Sequence, residues 1–123
     1  MKLSTLVESA GRLVKVIGYC FSELPNELAA IELQFKNLNC SLRVIEEMDE
    51  IQLSPSCDFT GLVNHGLEPI LSKYYGYELL WVWEMKNNRG YTDGLKFEFK
   101  GHDVAIELIV VASSIKQFYV TPS

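Results

Sequence analysis

Long apolar runs are missing from this sequence of 123 residues. No stretch approaches the roughly 20 apolar residues that a membrane-spanning helix needs. The N-terminus also lacks the apolar segment and the small-residue cleavage site of a signal peptide. Cysteine is scarce, with three residues and no CxxC pair, which fits reduced thiols better than a disulfide framework. We therefore expect a cytoplasmic protein with no membrane partner.

The common motifs of catalysis are missing too. The sequence contains no GxGxxG, P-loop, HExxH or GxSxG pattern, and its two histidines and three cysteines are too scattered to predict a zinc site. Cys20 and Cys40 fall within apolar strand patterns, and Cys57 has no basic neighbour that would activate its thiol. We predict no enzyme activity, no cofactor and no metal.

Basic residues are outnumbered, with 11 Lys and Arg against 16 Asp and Glu and a net charge of −5. This balance argues against binding to nucleic acid or to anionic membranes, since phosphate groups favour clustered Lys and Arg. An acidic chain is better suited to a basic protein partner.

The most regular pattern runs from Gly94 to Val111. Apolar and charged residues alternate up to Phe99, the turn residues 101–103 follow, and an apolar β-branched segment begins at Val104. This is typical of a β-hairpin with one buried face. Similar alternation occurs elsewhere, and helical spacing occurs at residues 3–10 and 67–74, the latter with Pro69 in its first turn. We predict one α+β domain, residues 1–123, with an antiparallel sheet of about eight strands and two short helices.

The two halves of the chain, 1–64 and 65–123, have the same predicted order of one helix and four strands. An offset of 64 residues lays the segment IELQFK on LKFEFK without a gap, and it also sets Val16 on Leu80, Leu42 on Ile106 and Val44 on Leu108. A tandem αββββ duplication would explain this match and would form one large sheet or two packed sheets. Alternation alone would also align any two meanders of similar loop length. Residues 54–66 are predicted to be the linker.

One acidic segment stands out, consisting of Glu46, Glu47, Met48, Asp49 and Glu50. Its carboxylates could serve as an acid/base pair or a hard-metal site, or they could be solvated charges in a hairpin turn. We predict instead that these five residues contact a basic partner, because such charges raise association rates and favour the correct partner.

The segment Tyr77–Trp83 is rich in aromatic residues. Strict strand alternation puts Tyr77, Leu79, Trp81 and Trp83 on one face. This segment is either a central strand covered on both faces or an aromatic row available for a homodimer.

The loop Asn87–Asp93 offers a second candidate site together with His102, either for a small ligand or for catalysis. Turn chemistry alone also accounts for its Asn, Gly and Asp residues. The segment NNRGYTDGLKFEF (87–99), the later residues 112–115 and the triplet Asp49–Ile51 resemble a family of small uncharacterised bacterial proteins. That resemblance implies no activity. In its size, acidity and predicted fold, the chain is also similar to immunity proteins that neutralise bacterial toxins.

Overall fold

The computed structural model describes residues 2–45, 49–64, 66 and 68–121. Within these residues there are one α-helix, α1 (Leu3–Ser9), one 3₁₀ helix (Ile70–Tyr74) and nine strands. The strands are β1 (Leu13–Phe21), β2 (Leu28–Phe35), β3 (Asn39–Ile45), β4 (Glu50–Ser54), β5 (Leu62–Val63), β6 (Leu79–Lys86), β7 (Thr92–Phe99), β8 (Ala105–Val111) and β9 (Ser114–Val120). No helix in these described ranges has the length and apolar character needed to cross a membrane.

The strands form two antiparallel sheets, in the orders β4-β3-β2-β1-β5 and β6-β7-β8-β9. The predicted antiparallel α+β character is confirmed, but the prediction of a single sheet of about eight strands is wrong. The strand that was not predicted is β5. It lies in the predicted linker, where Leu62 and Val63 pair with the end of β1. Among the described residues, one isolated antiparallel bridge, between Arg12 and Glu78, links the two sheets. A single bridge does not make them one continuous sheet.

The prediction of two short helices is also wrong, because the described residues form one α-helix and the second predicted helix is a single 3₁₀ segment of five residues. Pro69 precedes it in an extended conformation, Tyr75 ends it with an extended ψ of 135°, and Gly76 follows at a φ of +87°. Only a short turn fits between these positions, and short turns are where 3₁₀ geometry is common.

The core lies between the two sheets and follows the predicted alternation. Phe97 and Phe99 of β7 are fully buried, whereas Lys96 and Glu98, which alternate with them, are half-buried. Leu6 of α1 and Leu71 of the 3₁₀ helix join the same apolar cluster. The hairpin predicted around residues 101–103 is present, with β7 paired to β8.

The two sheets share a register irregularity near the start of each meander. In the first sheet Leu13 pairs with Phe35 and the register then shifts to Lys15 with Gln34. In the second sheet Leu79 pairs with Phe99 and the register then shifts to Trp81 with Glu98. Equivalent residues are therefore 64 apart between β2 and β7 (99 − 35) but 66 apart between β1 and β6 (79 − 13).

This difference corrects part of the predicted alignment. Val16 corresponds to Val82 rather than to Leu80, because both follow the register shift and both are buried. The β3 and β8 pairings are also displaced by 66, so that Leu42 corresponds to Leu108 and Val44 to Val110. A change of two residues keeps every side chain on its face of the sheet, and so the sequence pattern does not reveal it.

Contacts between the halves follow the same equivalence. The Arg12–Glu78 bridge joins two residues that are 66 apart, and the backbone N–H of Ser113 donates to Oδ1 of Asp49, 64 residues earlier, at 2.9 Å. In addition, α1 packs against β6 of the other half, while the 3₁₀ helix packs against β1. An approximate two-fold relation between the halves requires this reciprocity.

Candidate functional site

The predicted acidic segment is only partly described. Glu46, Glu47 and Met48 lie outside the described residues. Asp49 is exposed at a φ of +46°, and its carboxylate accepts the hydrogen bond from Ser113 that ties the two hairpin tips together. Glu50 begins β4, where it pairs with Ile45. Of the two described acidic residues, Asp49 thus has a structural contact, and Glu50 reaches a cleft.

This acidic cleft has a volume of about 270 Å³ and lies where β4 meets β6 and β7. Glu50 and Glu84 supply its charge, and Leu3, Ile51 and Leu95 are among its apolar lining. None of the described residues that line it is basic. The cleft therefore combines an apolar wall with two carboxylates, a combination that suits the long stem and charged end of a Lys or Arg side chain.

Glu84 already has two polar contacts. The hydroxyl of Thr92 donates to its Oε1, and the ammonium of Lys86 lies 3.7 Å from the same oxygen. Both partners are on the protein surface, where such ion pairs contribute at most about 1 kcal/mol. A better-placed cation could therefore replace Lys86. Sequence reasoning missed Glu84, since no local pattern relates it to Glu50. The two residues are brought together because β4 packs against β7, the strand that pairs with β6.

The Asn87–Asp93 loop is closed by its own hydrogen bonds. Oδ1 of Asn87 accepts from the backbone N–H groups of Arg89 at 2.9 Å and Tyr91 at 3.2 Å, and its own N–H donates to the carbonyl of Tyr91. Gly90 supplies the positive φ that this tight turn requires. The loop thus has the geometry that turn chemistry alone predicts.

His102 does not meet that loop. It lies beyond the last residue of β7, whereas Asp93 is near the first, and a strand of this length separates them by roughly 20 Å. The imidazole ring packs edge-on against Tyr77 at 4.2 Å and Tyr74 at 5.2 Å between centroids. It also lines a cleft of about 250 Å³ with Lys96 and Glu98. The structure therefore does not assemble the second predicted site.

The cysteine thiols are poorly suited to nucleophilic chemistry. Cys20 and Cys40 are buried, and burial raises the pKa of the Cys40 thiol to about 12. Partial burial also raises the pKa of Cys57. A raised pKa leaves little thiolate near neutral pH. Among the described residues, no group of three His, Cys, Asp or Glu side chains is arranged to hold a metal ion.

The aromatic strand departs from the predicted faces. The register shift after Leu79 puts Leu79 and Val82 in the core and leaves Trp81 and Trp83 exposed on the outer face. Tyr77 precedes the strand and contacts His102 instead. Moreover, β6 is an edge strand, so the prediction of a covered central strand is wrong.

The fold and the cleft define a small protein of two antiparallel β-sheets with an acidic recess at their junction. The chain belongs to a protein family of unknown function (DUF6334), whose family model matches residues 5–123. Resemblance to an uncharacterised family is thereby confirmed. Searches of curated proteins and of solved structures found no match.

Proposed function

We propose that this chain is a binding protein for a basic protein partner, acting as an immunity-type inhibitor that masks a toxin domain. The observation that carries the proposal is the cleft lined by Glu50, Glu84 and apolar side chains, with no basic residue among its described lining residues. Glu50 is also the last residue of the predicted acidic segment 46–50.

A Lys or Arg of the partner would enter with its methylene stem against Leu3, Ile51 and Leu95. Its charged end would lie between the two carboxylates and compete with Lys86 for Glu84. The net charge of −5 adds a long-range attraction that accelerates encounter with a basic surface. Association should therefore slow as salt is added, because salt screens charges separated by more than about 10 Å at 0.1 M. A cytoplasmic location belongs to the same proposal.

The test is to immobilise the chain and to measure whether it captures a basic partner. The first candidate is the product of a neighbouring gene. Glu50→Lys with Glu84→Lys should weaken binding at least about tenfold, since like charges facing each other cost several kcal/mol. A matched control is Glu68→Lys with Asp103→Lys, which changes the net charge equally at exposed positions away from the cleft. Equal binding by the two double variants would show that the cleft is not the contact surface.

We also propose that the halves 1–64 and 65–123 arose by tandem duplication of an αββββ unit. The matching register shifts and the reciprocal packing of α1 and the 3₁₀ helix support it. The unequal offsets of 64 and 66 then correspond to two-residue changes in hairpin loops, which preserve the faces of the strands.

A further inference from the structure

The outer face of the second sheet exposes an unusual amount of aromatic surface. Trp81 and Trp83 of β6 are 44% and 50% exposed, and Phe118 of β9, on the opposite edge, is 47% exposed. The two indole rings pack edge to face with their centroids 6.2 Å apart, and Nε1 of Trp83 donates to Oε1 of Glu98 at 2.9 Å. Exposed Trp and Phe on one sheet face are typical of interfaces.

The equivalent face of the first sheet is covered by the chain itself. After β4, the chain returns across this face, where Phe59 stacks on Tyr19 at 4.3 Å and the Arg43 guanidinium donates to the carbonyl of Asp58. By the offset of 66 between β1 and β6, Trp83 is equivalent to Ile17 of the first sheet. By the offset of 64 between β4 and β9, Phe118 is equivalent to Ser54. Within the described part of the chain, no such segment returns over the second sheet. The outer face of the second sheet therefore has larger apolar residues than that of the first sheet, and no described segment packs over them.

Charges on this outer face are balanced, unlike those of the whole chain. Lys96 and Glu98 lie on β7, Glu107 on β8 and Lys116 on β9. The ammonium of Lys116 also pairs with Glu27 of the first half at 3.3 Å. With two positive and two negative side chains on its strands, the face favours neither a basic nor an acidic partner. A neutral face with both signs is suited to another copy of itself.

The register shows how two copies would match. One row across the sheet runs Trp83, Lys96, Glu107, Phe118. A two-fold axis parallel to the strands, between β7 and β8, places Trp83 over Phe118 of the second copy. The same axis places Lys96 over Glu107 of the second copy. Every residue of this row therefore meets a complementary one.

A neighbouring row obeys the same rule. It runs Met85, Gly94, Ile109, Lys116, so the axis sets Met85 against the stem of Lys116 and Gly94 against Ile109. No like charges meet in either row. The four strands, about 4.8 Å apart and about 25 Å long, outline a face of roughly 19 by 25 Å. This outline of about 475 Å² is smaller than the 800 Å² or so that each partner contributes to a standard interface, so we expect a weak dimer.

We infer that the outer face of β6–β9 is the interface of a homodimer. The acidic cleft lies elsewhere, between β4, β6 and β7, so the dimer and partner binding at the cleft can fail independently. The dimer joins two sheets face to face, as in an aligned β-sandwich.

The decisive test is a charge swap measured by sedimentation equilibrium over a wide concentration range. The Lys96→Glu variant places Glu opposite Glu107, and the Glu107→Lys variant places Lys opposite Lys96, so each alone should dimerise at least about tenfold more weakly. An equimolar mixture should recover wild-type association as a heterodimer. The charge pairs within each chain stay mismatched in that mixture, so recovery reports only contacts between chains.

A second measurement needs no variant. The chain has two tryptophans, both on this face, so their fluorescence should shift to longer wavelength when the wild-type protein is diluted. A matched pair of variants, Phe118→Lys and Ser54→Lys, changes equivalent positions of the two sheets, and only Phe118→Lys should yield monomers. A monomeric wild-type protein at the highest concentration, or a mixture that fails to recover, would overturn the inference.

Discussion

Replacing Phe99 by alanine tests both the core and the equivalence of the two halves. Phe99 is 1% exposed, stacks on Tyr74 with ring centroids 4.7 Å apart, and pairs with Leu79 across the sheet. Truncating a buried Phe costs about 3–5 kcal/mol through lost burial and the cavity left behind. Aromatic pairs add about 0.5–1.5 kcal/mol. We therefore expect a loss in the upper half of that range, about 4–5 kcal/mol.

Two comparisons sharpen this prediction. Lys96→Ala on the other face of β7 should change the free energy of unfolding of the monomer, measured at a concentration at which the dimer has dissociated, by less than about 0.5 kcal/mol, because its ion pair with Glu98 is long, at 3.9 Å, and solvent-accessible. Phe35→Ala, the equivalent change in the first sheet, should cost about 3–5 kcal/mol, since Phe35 is also buried and pairs with Leu13.

The assay is urea unfolding followed by circular dichroism, with the midpoint and slope fitted separately. A typical domain of this size is stable by about 5–15 kcal/mol, so the Phe99→Ala variant should remain measurable only with a low-denaturant baseline. If Lys96→Ala and Phe99→Ala lowered stability equally, the faces of β7 would be misassigned. A small loss from Phe35→Ala beside a large loss from Phe99→Ala would contradict the equivalence of the halves.

Two further predictions concern strain and pH. Ala112 lies at a φ of +51° in the two-residue turn between β8 and β9. Ala112→Gly should therefore raise the free energy of unfolding by about 0.5–1 kcal/mol in the same urea assay, since relief of about 1–2 kcal/mol of strain exceeds the added chain entropy. Because burial raises the pKa of Cys40 from 9.0 to about 12, the unfolded chain loses this thiol proton first. Stability should fall between these pH values by up to about 1.4 kcal/mol per pH unit, and Cys40→Ala should remove that part of the alkaline slope.

Local alternation was sufficient to predict most strands. The pattern around Phe97 and Phe99 predicted which side chains are buried, and the turn residues 101–103 predicted the β7–β8 hairpin. These predictions depend only on the two-residue period of a strand and on the backbone preferences of turn residues. Likewise, the turn chemistry of Asn87 and Gly90 predicted a closed loop, as the structure shows.

The candidate site was less accessible from the sequence. Glu50 belonged to the predicted acidic segment, but its partner in the cleft, Glu84, is 34 residues away (84 − 50) and lies in the other sheet. The outward orientation of Trp81 and Trp83 was also missed, since a register shift after Leu79 interrupts the alternation. Both features depend on how strands pair and pack, which no local pattern specifies.

The sequence by itself determined the order of eight of the nine described strands, the buried face of β7, the hairpin turn at residues 101–103 and the acidic charge. Tertiary structure decided the rest: the division into two sheets, the addition of β5 from the presumed linker, the 3₁₀ geometry after Pro69 and the offsets of 64 and 66. The physical reason is that a strand's alternation is unchanged when it slides by two residues. Register is therefore settled by bulges and by contacts between distant segments, such as the bridge of Arg12 with Glu78.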